Sequence, residues 1–191
     1  MNPLDENPSP VPATEPSSPR PLVVDLDGTL LRGDTLHEVV FSTLFSNPFK
    51  LVQAGFALLS GGKGRFKAVL SPSFAGDAAS LPARQEVVDL AVQRKEQGGK
   101  VILATGAHRS IAQAAAERFG FFDEVLATDG DDGNFVGSRK RDMLVGLHGA
   151  GGYDYVGDSL TDLPVWESAA EAYAVGSVAR KGLRAGDKAV Q

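Results

Sequence analysis

The chain contains no cysteine, a single tryptophan and no long apolar run, and each shortage removes a class of explanation. Without thiols there is no disulfide, no thiolate metal site and no cysteine nucleophile, a composition that fits a reducing compartment. Nowhere do about 18 consecutive apolar residues occur, the length a membrane-spanning helix requires. Cations are scarce as well. The 19 Lys and Arg face 24 Asp and Glu, for a formal charge of -5 and a sequence pI near 5.2, so the basic patch on which a nucleic-acid partner depends is missing. Residues 1–20 have neither a basic lead nor an apolar core but hold Pro3, Pro8, Pro10, Pro12, Pro16 and Pro19. That excludes a secretory signal and predicts a disordered lead-in, with the fold starting at Pro21. A cytoplasmic location is the expectation.

What is present is ordinary globular material, 191 residues at 42% hydrophobic and 23% charged, enough for one domain with a core and a small insertion. The most informative stretch is Val23-Val24-Asp25-Leu26-Asp27-Gly28-Thr29-Leu30, an apolar strand running into two carboxylates and a glycine turn. Strand side chains alternate faces, so Asp25 and Asp27 are expected on one side of the strand's C-terminal end. Paired carboxylates become useful around a divalent cation, or as a nucleophile with a proton carrier. An Asp that attacks phosphorus splits one difficult hydrolysis into two easier steps, while its neighbour protonates the leaving oxygen and later deprotonates water. The plain alternative is an Asp-Gly turn with solvated acids.

Along the chain, Asp34 or Thr35 can cap a helix carrying Leu36, Val39, Val40, Leu44 and Phe45 at helical spacing. Asn47-Pro48 opens a second helix through Leu59, and Gly61-Gly62-Lys63-Gly64 is expected to end it. Those glycines lack the spacing of a phosphate loop. Residues 36–59 hold more apolar side chains than two buried stripes need, beside Lys50, Lys63, Arg65 and Lys67. Either the two helices bury their faces against each other, or an apolar surface with a basic fringe meets lipid or a prenyl-phosphate substrate.

From Pro82 onward helices and strands alternate. A helix is expected at 83–97, a strand at 100–104, a helix at 108–118 closed by Gly120, and a strand near Val125-Leu126-Ala127. Asp129 to Asn134 reads as a hairpin turn and lacks the spacing of a calcium loop. A helix at 138–147, a strand at Tyr153 to Val156, a helix at 161–169 and a strand at 172–175 follow. This order predicts an α/β fold with a doubly wound parallel sheet. Ligands then sit outside the carboxyl ends of the strands, which is where Asp25, Asp27, Thr105, Asp158 and Asp162 are expected.

Taken together, Asp25-Leu26-Asp27-Gly28-Thr29-Leu30, the strand Val101-Ile102-Leu103-Ala104-Thr105-Gly106, Lys140, and Gly157-Asp158-Ser159-Leu160-Thr161-Asp162 resemble the four ordered motifs of haloacid dehalogenase (HAD) superfamily phosphohydrolases. The resemblance covers roughly residues 21 to 180. It implies a Rossmann-like core at 21–32 and 81–191, a type-1 helical cap at 33–80, and Mg²⁺ as cofactor. It also implies that Asp25 is the nucleophile and a metal ligand, that Asp27 is the proton carrier and a ligand through its backbone carbonyl, and that Asp158 is a further ligand with Asp162 behind it. Thr105 and the N–H of Gly106, at the opening of the next helix, would hold the phosphate, and Lys140 would stabilise charge, with Arg139 its rival.

Within the superfamily the flavour of Pro21 to Leu31, of Leu103 to Arg109 and of Tyr153 to Trp166 is similar to the HAD domain fused to UbiA-type prenyltransferases. The implied activity is a phosphomonoesterase acting on a small or prenyl-linked sugar phosphate. A phosphoserine-phosphatase-like enzyme shares the motif layout, and an idle module docking a membrane prenyltransferase is the non-enzymatic alternative. His108 and Arg109 could touch substrate. His37 is expected at the surface, His148 in a turn and Trp166 in the core.

Overall fold

The computed structural model describes residues 19–37, 40, 43, 48–70, 81–128, 135–179, 184–185 and 188–189. Strand β1 (Leu22–Val24) is only three residues long, yet it lies at the centre of a five-stranded parallel sheet ordered β3-β2-β1-β4-β5. The others are β2 (Val101–His108), β3 (Glu124–Thr128), β4 (Asp154–Gly157) and β5 (Ala172–Ala174). The connecting helices are α1 (Pro48–Leu70), α2 (Gln85–Glu96), α3 (Arg109–Phe119), α4 (Gly137–His148), α5 (Leu163–Ser168) and α6 (Gly176–Ala179).

The period of two in the apolar runs builds two cores. Leu22 and Val24, with Val101 and Leu103, face one side and pack with Val87 and Ala91 of α2 and Ile111 and Ala115 of α3. Val23, Ile102 and Ala104 face the other and meet Leu144, Tyr155, Val165 and Trp166. Each central strand is therefore apolar on both faces, as parallel strands covered by helices must be. The order reverses at β1, whose neighbours are β2 and β4, so the crevice for ligand opens beyond the ends of β1 and β4.

Several expectations are corrected. The glycine cluster at 61–64 does not end a helix, because α1 runs from Pro48 to Leu70. An interior glycine costs about 1 kcal/mol relative to alanine, but Ala54 on one side of the cluster and Phe66, Val69 and Leu70 on the other pack into the same apolar layer. Buried contacts outside the helix thus override local propensity. Strand β2 continues past Ala104 to His108, since Ala127 and Thr128 of β3 keep pairing with it across an irregularity between Thr105 and His108. A hairpin of β6 (Arg184–Ala185) and β7 (Lys188–Ala189) near the C-terminus had no forecast. Asp34 is the cap of the helical turn at 35–37, where its Oδ1 accepts from Leu36 N at 2.8 Å and His37 N at 3.3 Å. Residues 1–18 of the expected lead-in at 1–20, residues 38–39, 41–42 and 44–47 of the expected first helix, the hairpin turn at 129–134 and residues 71–80 lie outside the described residues. Arg20, expected in the lead-in, is instead tied to the sheet by its Nε donating to Asp154 Oδ1 at 3.1 Å.

Entry and exit of the long insertion run side by side. Arg32 N donates to Pro82 O and Arg84 N to Leu30 O, each at 2.8 Å, so the chain leaves and re-enters the sheet layer at one place.

Candidate active site

Beyond the ends of β1 and β4 lies a cavity of about 620 Å³ lined by Asp25, Asp27, Thr105, Gly106, Lys140, Asp158 and Asp162. All the sequence-derived site residues thus converge on one space. They are brought there by different devices. Asp25 follows β1 directly, with its N–H donating to Val156 O at 3.1 Å. The next turn passes through Gly28 at φ +73°. A Cβ on that glycine would lie 2.1 Å from Asp158 Oδ2, so both the conformation and the close approach require glycine. On the other side, a Cβ on Gly157 would lie 2.6 Å from Asp162 Oδ2.

Lys140 carries the strongest interactions. Its Nζ donates to Asp25 Oδ1 at 2.7 Å and to Tyr155 Oη at 2.9 Å, and stands 3.8 Å from Asp162 Oδ1. The side chain is 2% exposed. Burial acts to lower its pKa, but the facing Asp25 and Asp162 carboxylates prevail and raise it, so the amine stays charged. Arg139, its rival in the sequence, lies on an exposed position of α4, and only Lys140 lines the cavity.

The acids outnumber the cations around them. Asp25, Asp158 and Asp162 each present an oxygen within 4.8 Å of the others. Burial, and then the charge of Asp25, raises the pKa of both Asp158 and Asp162. Asp162 has its oxygens engaged, Oδ1 by Tyr155 Oη at 2.8 Å and Oδ2 by Ser159 N at 3.2 Å. Asp158 Oδ1 accepts from Thr29 Oγ1 at 3.3 Å, and the same hydroxyl lies 3.3 Å from Asp25 Oδ2. A mutually repelling set of hard oxygen donors suits a small divalent cation. All three could offer an oxygen to such an ion, and Asp162 differs in having both of its oxygens taken by hydrogen bonds.

Asp27 is set apart. Its Oδ1 accepts from Thr35 N at 2.8 Å, and burial pushes its pKa up to about 6 against the opposing Thr35 hydrogen bond, with Asp25 adding to the rise. A carboxyl in that range can carry a proton near neutrality.

Thr105 does not follow the end of its strand, as the sequence suggested, but sits inside β2 where the register slips. Its Oγ1 accepts from Ala107 N at 3.0 Å. Gly106 likewise does not open the next helix. That helix begins at Arg109 with His108 as its cap, the imidazole Nδ1 accepting from Ser110 N. Thr105 and Gly106 therefore line the cavity from the slip in register of β2 and not from a helix start.

Sequence reasoning missed two residues. Arg84 lines the cavity and clamps the turn after Asp27, donating through Nη2 to Gly28 O at 2.9 Å and through Nε to Thr29 O at 3.2 Å. It precedes a helix in a segment that matches no motif, so no signal marked it. Tyr155 is fully buried and joins Lys140 to Asp162. Burial, reinforced by the charge of Asp162, raises its pKa well above the ordinary value, and the phenol remains a donor. Its signal was a polar tip in a strand otherwise fit for burial.

Known proteins resemble this chain at several distances. Over 158 residues the chain is 35% identical to "Uncharacterized protein y4nM" of Sinorhizobium fredii (strain NBRC 101917 / NGR234), a match covering 82% of this chain and 30% of that protein. The chain therefore spans less than a third of the length of that curated relative. Among solved structures, the HAD family hydrolase t0658 from Salmonella enterica subsp. enterica serovar Typhi superposes with a TM-score of 0.59 at 17% identity, over 84% of this chain and 65% of that one. A phosphoserine phosphatase in apo form gives 0.60 at 15% identity, over 85% and 90% of the two chains. The phospho-aspartyl intermediate analogue of phosphoserine phosphatase gives 0.56 at 15% identity, over 81% and 85%. At these identities the superpositions establish a common fold. Residues 22–167, well over half of the sequence, match the family model for haloacid dehalogenase-like hydrolases, and the chain belongs to that family.

Proposed function

We propose that the chain is a Mg²⁺-dependent phosphomonoesterase that works through an aspartyl-phosphate on Asp25, with a small or prenyl-linked sugar phosphate as substrate. The observation that carries this reading is the contact of the buried Lys140 ammonium with Asp25 at 2.7 Å, beside a second carboxyl, Asp27, whose pKa is raised to about 6. Asp25 and Asp158, with the backbone carbonyl of Asp27, would hold the ion, whose charge would offset repulsion between Asp25 and the phosphate dianion.

The rest of the chemistry belongs to the chain. A carboxylate oxygen of Asp25 forms a bond to phosphorus as the bond from phosphorus to the ester oxygen breaks, and Asp27 donates its proton to the departing alkoxide. Water then gives a proton to Asp27 and attacks phosphorus, releasing inorganic phosphate and restoring Asp25. Lys140 neutralises charge that accumulates between Asp25 and the phosphoryl oxygens, while the Thr105 hydroxyl and Gly106 N–H orient those oxygens. Arg84 fixes the carbonyls of Gly28 and Thr29, which keeps the two Asp side chains in register.

p-Nitrophenyl phosphate hydrolysis, measured after chelation and again with Mg²⁺ restored, tests the proposal. Restored turnover is expected. No turnover under either condition favours the idle module. A panel of phosphoserine, sugar phosphates and prenyl-linked sugar phosphates then separates the substrate classes. Phosphoserine belongs in it because structural neighbours are phosphoserine phosphatases. A cytoplasmic location, expected from the lack of thiols and of a secretory signal, and a membrane prenyltransferase as partner, expected from the sequence resemblance, are further parts of the proposal. Among the described residues no helix is long and apolar enough to cross a membrane.

A further inference from the structure

Among the described residues, helix α1 carries more exposed large apolar side chains than any other element. Ala54 and Leu70 are buried in the core layer, while Phe49 is 81%, Val52 58%, Phe56 69% and Leu59 86% exposed. These four positions recur at i, i+3, i+7 and i+10, so they form one exposed stripe over the first half of the helix, with Leu58, 43% exposed, off it, before Leu70 carries the far end into the core. The helix contains no Asp or Glu, and none occurs anywhere between Glu38 and Asp77. It does contain Lys50, Lys63, Arg65 and Lys67, in a chain whose acids exceed its cations by five.

We infer that α1 is an interfacial helix that docks the protein on an anionic lipid surface, its apolar stripe entering the headgroup boundary and its lysines meeting lipid phosphates. Segregated aromatic and aliphatic residues on a helix rich in Lys and free of acids are what such an interface selects. The helix lies on the bilayer and does not cross it, since it is too polar to span one. A second copy of the chain is a poorer occupant. Two-fold pairing would set this cationic helix against itself, and four side chains fall short of the roughly 800 Å² per partner of a stable interface. The inference is independent of the proposed reaction, because it is read from binding.

Cosedimentation of the full chain with phosphatidylglycerol-containing vesicles and with pure phosphatidylcholine vesicles tests it. Wild-type protein is expected to pellet with the anionic vesicles, to do so far less with the neutral ones, and to be released by high salt. Phe49→Ser/Phe56→Ser should weaken pelleting at least roughly tenfold. Lys63→Gln/Lys67→Gln should remove the preference for anionic lipid. Both pairs should keep the wild-type melting temperature, which separates lost binding from lost folding. Failure of the wild type to pellet, or equal pelleting of the Phe variant, overturns the inference. So does a dimer seen by light scattering that Phe49→Ser/Phe56→Ser dissolves, which would assign the stripe to a second copy.

Discussion

The two edges of the central sheet use the same residue to opposite ends. At the N-terminal edge, Asp154 opens β4 with both oxygens matched, Oδ1 to Arg20 Nε at 3.1 Å and Glu171 N at 3.2 Å, Oδ2 to Arg94 Nη1 at 2.8 Å. Asp123 precedes β3 and accepts from Lys95 Nζ and from Val101 N, the first residue of β2. At the C-terminal edge, Asp25, Asp27, Asp158 and Asp162 share one cavity with Lys140 and Arg84, and burial raises the pKa of three of the four. One edge spends its carboxylates on joining strands and helices. The other holds them in excess of the cations available, which opposes stability but readies the edge for a metal and a phosphate.

Substitution at the crowded edge should therefore hit turnover hardest and stability least. Asp25→Asn should reduce p-nitrophenyl phosphate turnover by more than roughly 10³-fold, because an amide cannot form the acyl phosphate. Full activity would remove Asp25 as nucleophile. Asp27→Asn should cost roughly 10²- to 10⁴-fold in rate, the range for a lost general acid/base. It keeps an oxygen for Thr35 N, and it should raise the melting temperature of chelated protein by relieving a buried charge. A lowered melting temperature would contradict the claim that this edge is charge-strained.

The satisfied edge should show the reverse. Asp154→Ala leaves Arg94 only 11% exposed and without its carboxylate, and removing one partner of a buried pair costs about 3–5 kcal/mol. Arg20 is 49% exposed and regains water, so about 3 kcal/mol is expected. That is a fall of about 6–12 °C for a domain of this size. Specific activity of the folded fraction should stay at the wild-type level. A proportionate loss of activity would show that the two edges are coupled.

Between these extremes stands Tyr155→Phe, which keeps the ring and removes the hydroxyl that joins Lys140 to Asp162. Outer-shell groups of this kind are worth about 10- to 100-fold. A fall of about tenfold in kcat with little change in KM is expected, and the lower end of the range applies because Lys140 retains Asp25. An unchanged kcat would reduce Tyr155 to a packing residue.

The contrast also explains what could be read without coordinates. The sheet was legible because buried parallel strands need continuous apolar runs, and Leu22 to Val24 and Val101 to Ala104 supply them. Asp25, Asp27, Asp158 and Asp162 were legible because strand ends and a glycine turn fix where carboxylates point. The shape of β2 was not, since the slip at Thr105 depends on pairing with Ala127 and Thr128 some twenty residues away. The course of α1 was hidden for a related reason: local glycine signals were overruled by burial of Phe66 and Leu70 against distant strands. Arg84 works through carbonyl oxygens of Gly28 and Thr29, and backbone acceptors leave no trace in sequence.

The smallest expected effect tests whether the N-terminal edge is stabilised by charge at all. Burial alone would raise the pKa of Asp123, but hydrogen bonds from Lys95 and Val101 N, with the charges of Lys95 and Lys100, hold it below the ordinary value. A folded pKa below the unfolded one adds stability above the ordinary aspartate range, and that contribution fades as pH falls through the folded value. The side chain is 33% exposed, so water screens the pair and under about 1 kcal/mol is expected. Asp123→Asn keeps an acceptor for Val101 N and loses only the charge. Its melting temperature should be lower than wild type by a few degrees or less at pH 7, with the gap closing in acid once the wild-type carboxyl is protonated. A gap that persists unchanged in acid would mean that Asp123 acts by shape and hydrogen bonding. The contrast between the edges would then rest on Asp154 alone.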